Sequence, residues 1–453
     1  MQEQEKEKGG RLKDLLSIIL IIVILAVGYK YYKKFNFNEF VKAESQIGLS
    51  KFERDSNEKT LAKDSYKIEN TEYNDAMFFE KVKVLPDTPY KVTCKIKTEG
   101  VKSKNENTDS GAHICISDTV EKSDNITGTT DWTDVSFYFN SKNRTEVEIG
   151  FRLGGFEDDC IGTAWFSDFK VETGIADGTN TWNMLCVLFD NVDTTIERSG
   201  YYREVKLNLT QTDKEDMATC MQHFQSSMAE MSKGKIKIKY DIVETQTPIT
   251  HFSHDEENGY FVSGYDIKEV LDPYIAEGKY DHIFVAFRTG DMNQKGAIPV
   301  NDWIGLGSME YRNLGFSNIR LPDNDSNYVY KYDTRINIFP EEVLMHEFLH
   351  TLERNAEDYG EERPALHDNE RYGYTSQQMI GLKNWYQDYM NKEISSGYEQ
   401  IGLPEDIFTK KPAKGEDFTS SREIDAFTEP ENIIEEIHMI WHKVQNLFTI
   451  IKN

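Results

Sequence analysis

The 453-residue chain is predicted to be multidomain: an N-terminal membrane-anchor helix, an all-β sandwich, then an α+β domain with a mostly parallel sheet and one histidine-bearing helix. Three observations predict this. Leu15 to Val27 is an almost unbroken run of Leu, Ile and Val. From about Ala43 to Gly174, short alternating apolar runs are separated by turn residues. Beyond Asn180, strand-like runs alternate with segments of helical periodicity. At ~150 residues per domain, the length itself calls for two or three units.

Composition sets the class. Hydrophobic residues make up 38% of the chain and aromatic residues 12%, enough to build folded cores. A formal charge of −26 excludes nucleic acid as a partner, because so acidic a surface repels phosphate, and no basic tract offsets it. The five cysteines, Cys94, Cys115, Cys160, Cys186 and Cys220, form no CxxC pair and make an odd count, so neither a zinc knuckle nor a disulfide framework is indicated. A single Cys94–Cys115 or Cys115–Cys160 bridge fits the spacing, whereas Cys186 reads as a buried thiol in a strand.

Residues 1–34 are read as a cytoplasmic stub and an uncleaved signal anchor. Leu15 to Tyr29 covers about 22 Å, which reaches across a ~30 Å hydrocarbon core if Lys30 snorkels and the following tyrosines form an interfacial belt. Small residues at cleavage spacing are missing after the apolar run; cleavage there would instead release a secreted form. Flanking lysines and arginines nearly balance, so the expectation of a single-pass protein at the cell membrane, its remaining domains extracellular, rests on their content.

The sandwich, residues 43–174, is read from strands such as Tyr90-Lys91-Val92-Thr93-Cys94, Ala112-His113-Ile114-Cys115-Ile116, Val135-Ser136-Phe137-Tyr138-Phe139 and Ala164-Trp165-Phe166. Pro86-Asp87-Thr88-Pro89-Tyr90, Thr130-Asp131-Trp132-Thr133 and Gly162-Thr163-Ala164-Trp165-Phe166-Ser167-Asp168 resemble, in that order, the jelly-roll carbohydrate-binding modules of secreted glycoside hydrolases. The resemblance covers this whole segment. It implies a carbohydrate partner held by aromatic faces and a structural Ca²⁺ near the chain ends, for which Asp168 is a candidate ligand. Trp132 and Trp165, beside strand starts, are expected in the core.

After the small polar link Ile175 to Asn180, the domain at 180–453 begins with the apolar strand Asn183 to Asp190. A helix with one apolar face follows at Asp213 to Met231, then a strand at Lys235 to Val243, a helix at Asp266 to Glu277 and a strand at His282 to Arg288. Ile304 to Tyr311 is the candidate edge strand, to which an extended peptide can add itself. Thr375 or Ser376 caps a predicted helix to about Asn391, and Glu429 to Ile451 a final amphipathic one.

Between them lies Phe339-Pro340-Glu341-Glu342-Val343-Leu344-Met345-His346-Glu347-Phe348-Leu349-His350, an HExxH pattern on an amphipathic helix. Two histidines one turn apart share a face, so their rings can converge on one cation, with Glu347 beside it as proton acceptor. Pro340 suits a first helical position, and Glu341 and Glu342 oppose the macrodipole.

This order of elements ending in HExxH resembles the zincin metallopeptidases, on the metzincin side. Glu353 stands where their pattern has glycine and Ala356 where it has the third histidine. His346 to Gly360, HEFLHTLERNAEDYG, looks closer to the IgA-peptidase-like metallopeptidases, which continue into an Ala-acid-acid-Tyr segment matched by Ala356-Glu357-Asp358-Tyr359. The resemblance implies a catalytic Zn²⁺ with three protein ligands and a water, for which Glu347 is general base. The third ligand stays open between Asp358, reached if the helix breaks at Asn355, and His367 in the loop Pro364 to Asp368; imidazole is the commoner partner of two histidines. Tyr372 or Tyr374 is the candidate oxyanion donor, Tyr374 the one chosen. Met379 is the nearest equivalent of the metzincin methionine but falls inside the predicted helix.

The expected function is that of a membrane-tethered extracellular zinc metalloendopeptidase, brought to glycoprotein or cell-wall substrates by its glycan-binding sandwich. A surface adhesin with an inactive zincin domain is the rival. A zinc hydrolase acting on a non-peptide amide is a third option.

Overall fold

The computed structural model of the chain describes residues 41–60, 64–105, 110–117, 119–156, 158–276, 278–290, 296–301, 303–321, 329–414 and 422–424. The expected anchor and the helix expected at Glu429 to Ile451 lie outside these residues. Among the described residues, no helix is long and apolar enough to cross a membrane.

Nine strands open the fold: β1 (Val41–Glu44), β2 (Ser50–Asp55), β3 (Ser65–Asn74), β4 (Ala76–Lys83), β5 (Pro89–Ser103), β6 (Gly111–Ile116), β7 (Gly128–Asn140), β8 (Glu146–Gly154) and β9 (Cys160–Thr173). They make two antiparallel sheets, β1-β4-β8-β6 and β2-β3-β9-β5-β7, packed face to face as a sandwich. Period-two patterning is the cause. Tyr90, Val92, Cys94 and Ile96 of β5 point inward and meet Phe78, Ile114, Phe151 and Phe166, while the intervening lysines and threonines are less buried. Trp165 is buried, and its indole N–H donates to Asp55 at 3.0 Å. Trp132 departs from expectation: it lies three residues out of step with the inward Val135, Phe137 and Phe139 and is only half-buried. All five cysteines are free and buried, so neither candidate disulfide forms; the Cys115 thiol instead lies 3.9 Å from the Met77 sulfur.

The second unit opens with β10 (Thr181–Phe189), the hairpin β11 (Asn191–Arg198) and β12 (Tyr201–Asn208), helix α1 (Gln211–Met231) and β13 (Lys237–Thr245). A short hairpin, β14 (Ser253–Asp255) and β15 (Gly259–Phe261), leads to α2 (Lys268–Ile275), β16 (His282–Arg288), β17 (Gly305–Tyr311) and β18 (Leu314–Leu321). Then come α3 (Glu342–Asp358), α4 (Lys383–Asn391), the hairpin β19 (Ile394–Ser396) and β20 (Glu399–Ile401), and β21 (Arg422–Ile424). The main sheet has the order β13-β10-β16-β18-β17, parallel except for the antiparallel edge strand β17. Its inner strands β10, β16 and β18 are buried on both faces. Trp182, Met184, Cys186 and Leu188 of β10 join the core beneath α1 and α3, while Leu185, Val187 and Phe189 enter the opposite core with Leu271 of α2.

Three boundaries differ from the sequence reading. α3 runs unbroken past Asn355 to Asp358 and stops at Tyr359-Gly360, where Gly360 takes φ +75°. The helix expected from Thr375 begins only at Lys383. Gly373 and Gly381 both have left-handed φ, and a Cβ on Gly381 would lie 2.0 Å from the Glu342 carboxylate, so the chain turns there instead of coiling. β21, counted with the second domain, pairs with Val171–Thr173 of β9, beyond the last β3 partner, Phe166.

Two buried histidines give the fold an acid sensitivity. His282 sits between Thr351 and Ser317 at 3.1 and 3.2 Å, and burial, reinforced by Arg354, lowers its pKa to about 3. His113 in the sandwich is lowered likewise to about 3, first by burial and then by Lys122 and Arg152. A folded pKa below the unfolded value of ~6.5 means that the unfolded chain binds more protons, so stability falls as pH drops below that value. Urea unfolding of His282→Gln is expected to lose about 2 kcal/mol less than wild type between pH 7 and 5.

Candidate metal centre

The centre is built on α3. Leu344, Met345, Phe348, Leu349 and Leu352 bury one face against Trp182, Phe224 and Phe284, which fixes the azimuth of the helix and turns His346 and His350 together out of the core. The edge strand closes one side. Arg354 donates to the Ser308 carbonyl at 2.8 Å and pairs with Glu310 at 2.8 Å, bolting α3 to β17.

The structure brings His367 to the histidine pair. The three Nε2 atoms form a nearly equilateral triangle with edges of 3.0, 3.1 and 3.1 Å. Among the described residues, this is the one group of three His, Cys, Asp or Glu side chains that converges in this way. Asp358 is not brought to it: its carboxylate pairs with Lys142 of the sandwich and lines a crevice of about 1820 Å³ that contains none of the three histidines. The reason is the unbroken helix, which carries Asp358 past the site, and the loop after Gly360, which folds His367 back. Arg363 donates to the Glu353 carbonyl at 2.9 Å, Trp385 Nε1 to the Leu366 carbonyl at 2.8 Å and Tyr389 to the Pro364 carbonyl at 3.3 Å.

The outer nitrogens fix the tautomers. His350 Nδ1 lies 2.9 Å from Glu353, an acceptor only, so this nitrogen carries a proton, which in the neutral ring leaves the lone pair on Nε2. His346 Nδ1 lies 3.1 Å from the Tyr386 hydroxyl. Tyr386 also lies beside the half-buried Glu342 carboxylate. Burial, then the neighbouring imidazoles, lowers the His346 pKa to about 3, and burial lowers that of His367 as well. The three Nε2 atoms thus face one common point.

A tetrahedral zinc at ~2.05 Å from each nitrogen requires N···N edges of ~3.3 Å, so small ring shifts accommodate it, and three imidazoles leaving a fourth position match catalytic zinc sites. The residues present therefore fit the metal.

Glu347 is buried, and burial raises its pKa to about 7 against the opposing pull of His350 and the Gly307 N–H. Two glycines of β17 make room for it. A Cβ on Gly305 would stand 2.5 Å from the Glu347 side chain, and one on Gly307 2.8 Å from both its Oε2 and its main-chain oxygen. Because helix backbone cannot yield as a side chain can, Gly307→Ala is expected to displace the carboxylate, lower stability by about 1–3 kcal/mol and reduce any Glu347-dependent activity while metal content holds. Thermal melts, metal analysis and rates on the same preparation check this.

Tyr374 is not free to serve as oxyanion donor, since its hydroxyl donates to Asp388 at 2.5 Å and its ring packs on Trp385. Tyr386, which the sequence reading counts only as an apolar helix position, is the tyrosine whose hydroxyl lies 3.1 Å from His346 Nδ1; no spacing rule would have selected it. Met379 lies in the turn Gln377–Gly381 with its side chain 39% exposed, not beneath the rings. Asp168 sits half-buried at a bulge of β9 with φ +50°.

No protein-family model matches the chain, and no curated protein is significantly similar to it. Solved structures similar to it match about a third of the chain. The enzymatically active domain of Bacteriophage CBA120 tailspike protein 4 matches with 11% identity and a TM-score of 0.24 over 31% of this chain, which spans only 20% of that one. TmCBM61, solved with β-1,4-galactotriose, matches with 14% identity and a TM-score of 0.22 over 31% of this chain and 92% of its own. The CBM22-1 xylan-binding domain of Paenibacillus barcinonensis Xyn10C matches with 9% identity and a TM-score of 0.19 over 29% of this chain and 85% of its own. At these values the function of this chain has to be argued from its own residues.

Proposed function

We propose that the chain is a zinc-dependent peptide hydrolase, tethered outside the cell by its N-terminal segment and directed to glycosylated or cell-wall substrates by the β-sandwich. The observation that carries the hydrolase reading is the convergence of His346, His350 and His367 Nε2 within 3.1 Å of one another, the first two on the same helix as Glu347 and the third on the loop that follows it. Zinc held by these three nitrogens supplies Lewis acidity, which makes a water acidic near neutral pH and polarises a carbonyl. Glu347 would accept a proton from the attacking water and pass it to the departing amine. Its burial favours the protonated state it must pass through, and the Gly307 N–H orients the carboxylate. Tyr386 and Glu353, against the outer nitrogens of His346 and His350, would hold these rings in the tautomer that a metal ligand needs. β17, the terminal strand of the sheet, offers an extended peptide an edge to pair with beside α3.

Casein or mucin digestion that a chelator stops and added zinc restores supports this reading. Persistence in the chelator, or no cleavage of any protein substrate by zinc-loaded chain, counts against it. The glycan-binding role of the sandwich is proposed on architecture alone. A glycan array probed with the full chain tests it, and silence on every sugar would reduce the sandwich to a spacer.

A further inference from the structure

We infer that Glu353 is a positioning residue that assembles the third ligand, linking the His367 loop to the histidine pair through one carboxylate. The inference rests on the metal reading above and concerns the residue by which this chain departs from the HExxH families it resembles. Glu353 Oε2 accepts from His350 Nδ1 at 2.9 Å, and Glu353 Oε1 accepts from the Leu366 main-chain N–H at 2.7 Å. Leu366 immediately precedes His367, so the same side chain aims one ligand and sets the backbone position of another. α3 carries His346 and His350 by its own periodicity, but nothing local places a histidine 17 residues further on. Leu366 is itself buried, so without Glu353 its N–H would stand unsatisfied at the base of the site.

Both partners are donors, and only a carboxylate offers an acceptor to each. Glu353→Gln keeps the shape but presents one oxygen and one NH₂, so either His350 or Leu366 must face a donor. The centre then loses either the orientation of His350 or the register of His367.

The test measures zinc affinity by competition with a chromophoric chelator for wild type, Glu353→Gln, His367→Ala and the double variant. Glu353→Gln is expected to weaken zinc binding by about 10–100-fold. The same substitution should weaken it markedly less in the His367→Ala background, because one of its two clients is gone. An unchanged affinity, or an equal fold-loss in both backgrounds, overturns the inference. Should Glu353→Gln fail to fold, hydrogen exchange of the metal-free wild type decides: the Leu366 amide is expected to be strongly protected, and fast exchange there overturns the link. If wild type itself binds no zinc, the metal reading fails instead, which separates the two outcomes.

Discussion

Glu347→Gln is expected to retain its metal and to lose about 10²–10⁴-fold in kcat/KM on a protein substrate, the range ascribed to a positioned proton acceptor. The substitution preserves the volume that Gly305 and Gly307 leave for the side chain, so the rate loss reports proton transfer and not collapse of the pocket. A pH signature accompanies it. Burial brings the Glu347 carboxyl to about 7 in the metal-free chain, and a nearby cation pulls it back down. The acid limb of the wild-type profile therefore falls at or below about pH 7, with activity rising as Glu347 loses its proton, and the residual activity of Glu347→Gln lacks that limb. Full activity in Glu347→Gln would remove this residue from the chemistry.

Zinc is expected to stabilise the second domain strongly and to leave the sandwich unmoved. Metal bound only by the folded state, at ~1,000 times its dissociation constant, adds about 4 kcal/mol. For a domain of this size that raises the melting temperature by roughly 8–16 °C. The gain is lost in His346→Ala, which removes one corner of the triangle formed by the Nε2 atoms. Calorimetry of metal-free and zinc-loaded protein separates the contributions, since the sandwich core is separate from the two cores that flank the sheet of the second domain, one of which includes α3. A zinc-induced shift that survives in His346→Ala would place the stabilising metal elsewhere.

What the sequence revealed follows the range of the interactions involved. Period-two runs such as Tyr90 to Ile96 announce the sandwich, because each strand's inward face is written in its own residues. His346, Glu347 and His350 are legible for the same reason: three residues on one turn need no tertiary information to meet. His367 is a candidate from its residue type, but what brings it to the pair is a set of distant anchors, Glu353, Trp385 and Tyr389, that no local pattern encodes. β18 escapes the reading because Leu314-Gly315-Phe316-Ser317-Asn318, buried throughout, carries no alternation. The overextended helix before α4 shows the opposite error. Met379, Leu382, Trp385 and Tyr386 keep helical spacing, yet only Leu382 onward packs as such a helix would, since Gly381 turns to admit the Glu342 carboxylate, which accepts from the Leu382 main-chain N–H at 2.8 Å.

The three imidazoles as a divalent-metal site are tested most directly by metal content per chain in protein purified without chelators. One zinc per wild-type chain is expected, with Asp358→Ala retaining it and His367→Ala losing it. Metal-free wild type, or a site emptied by Asp358→Ala and left full by His367→Ala, would contradict the account.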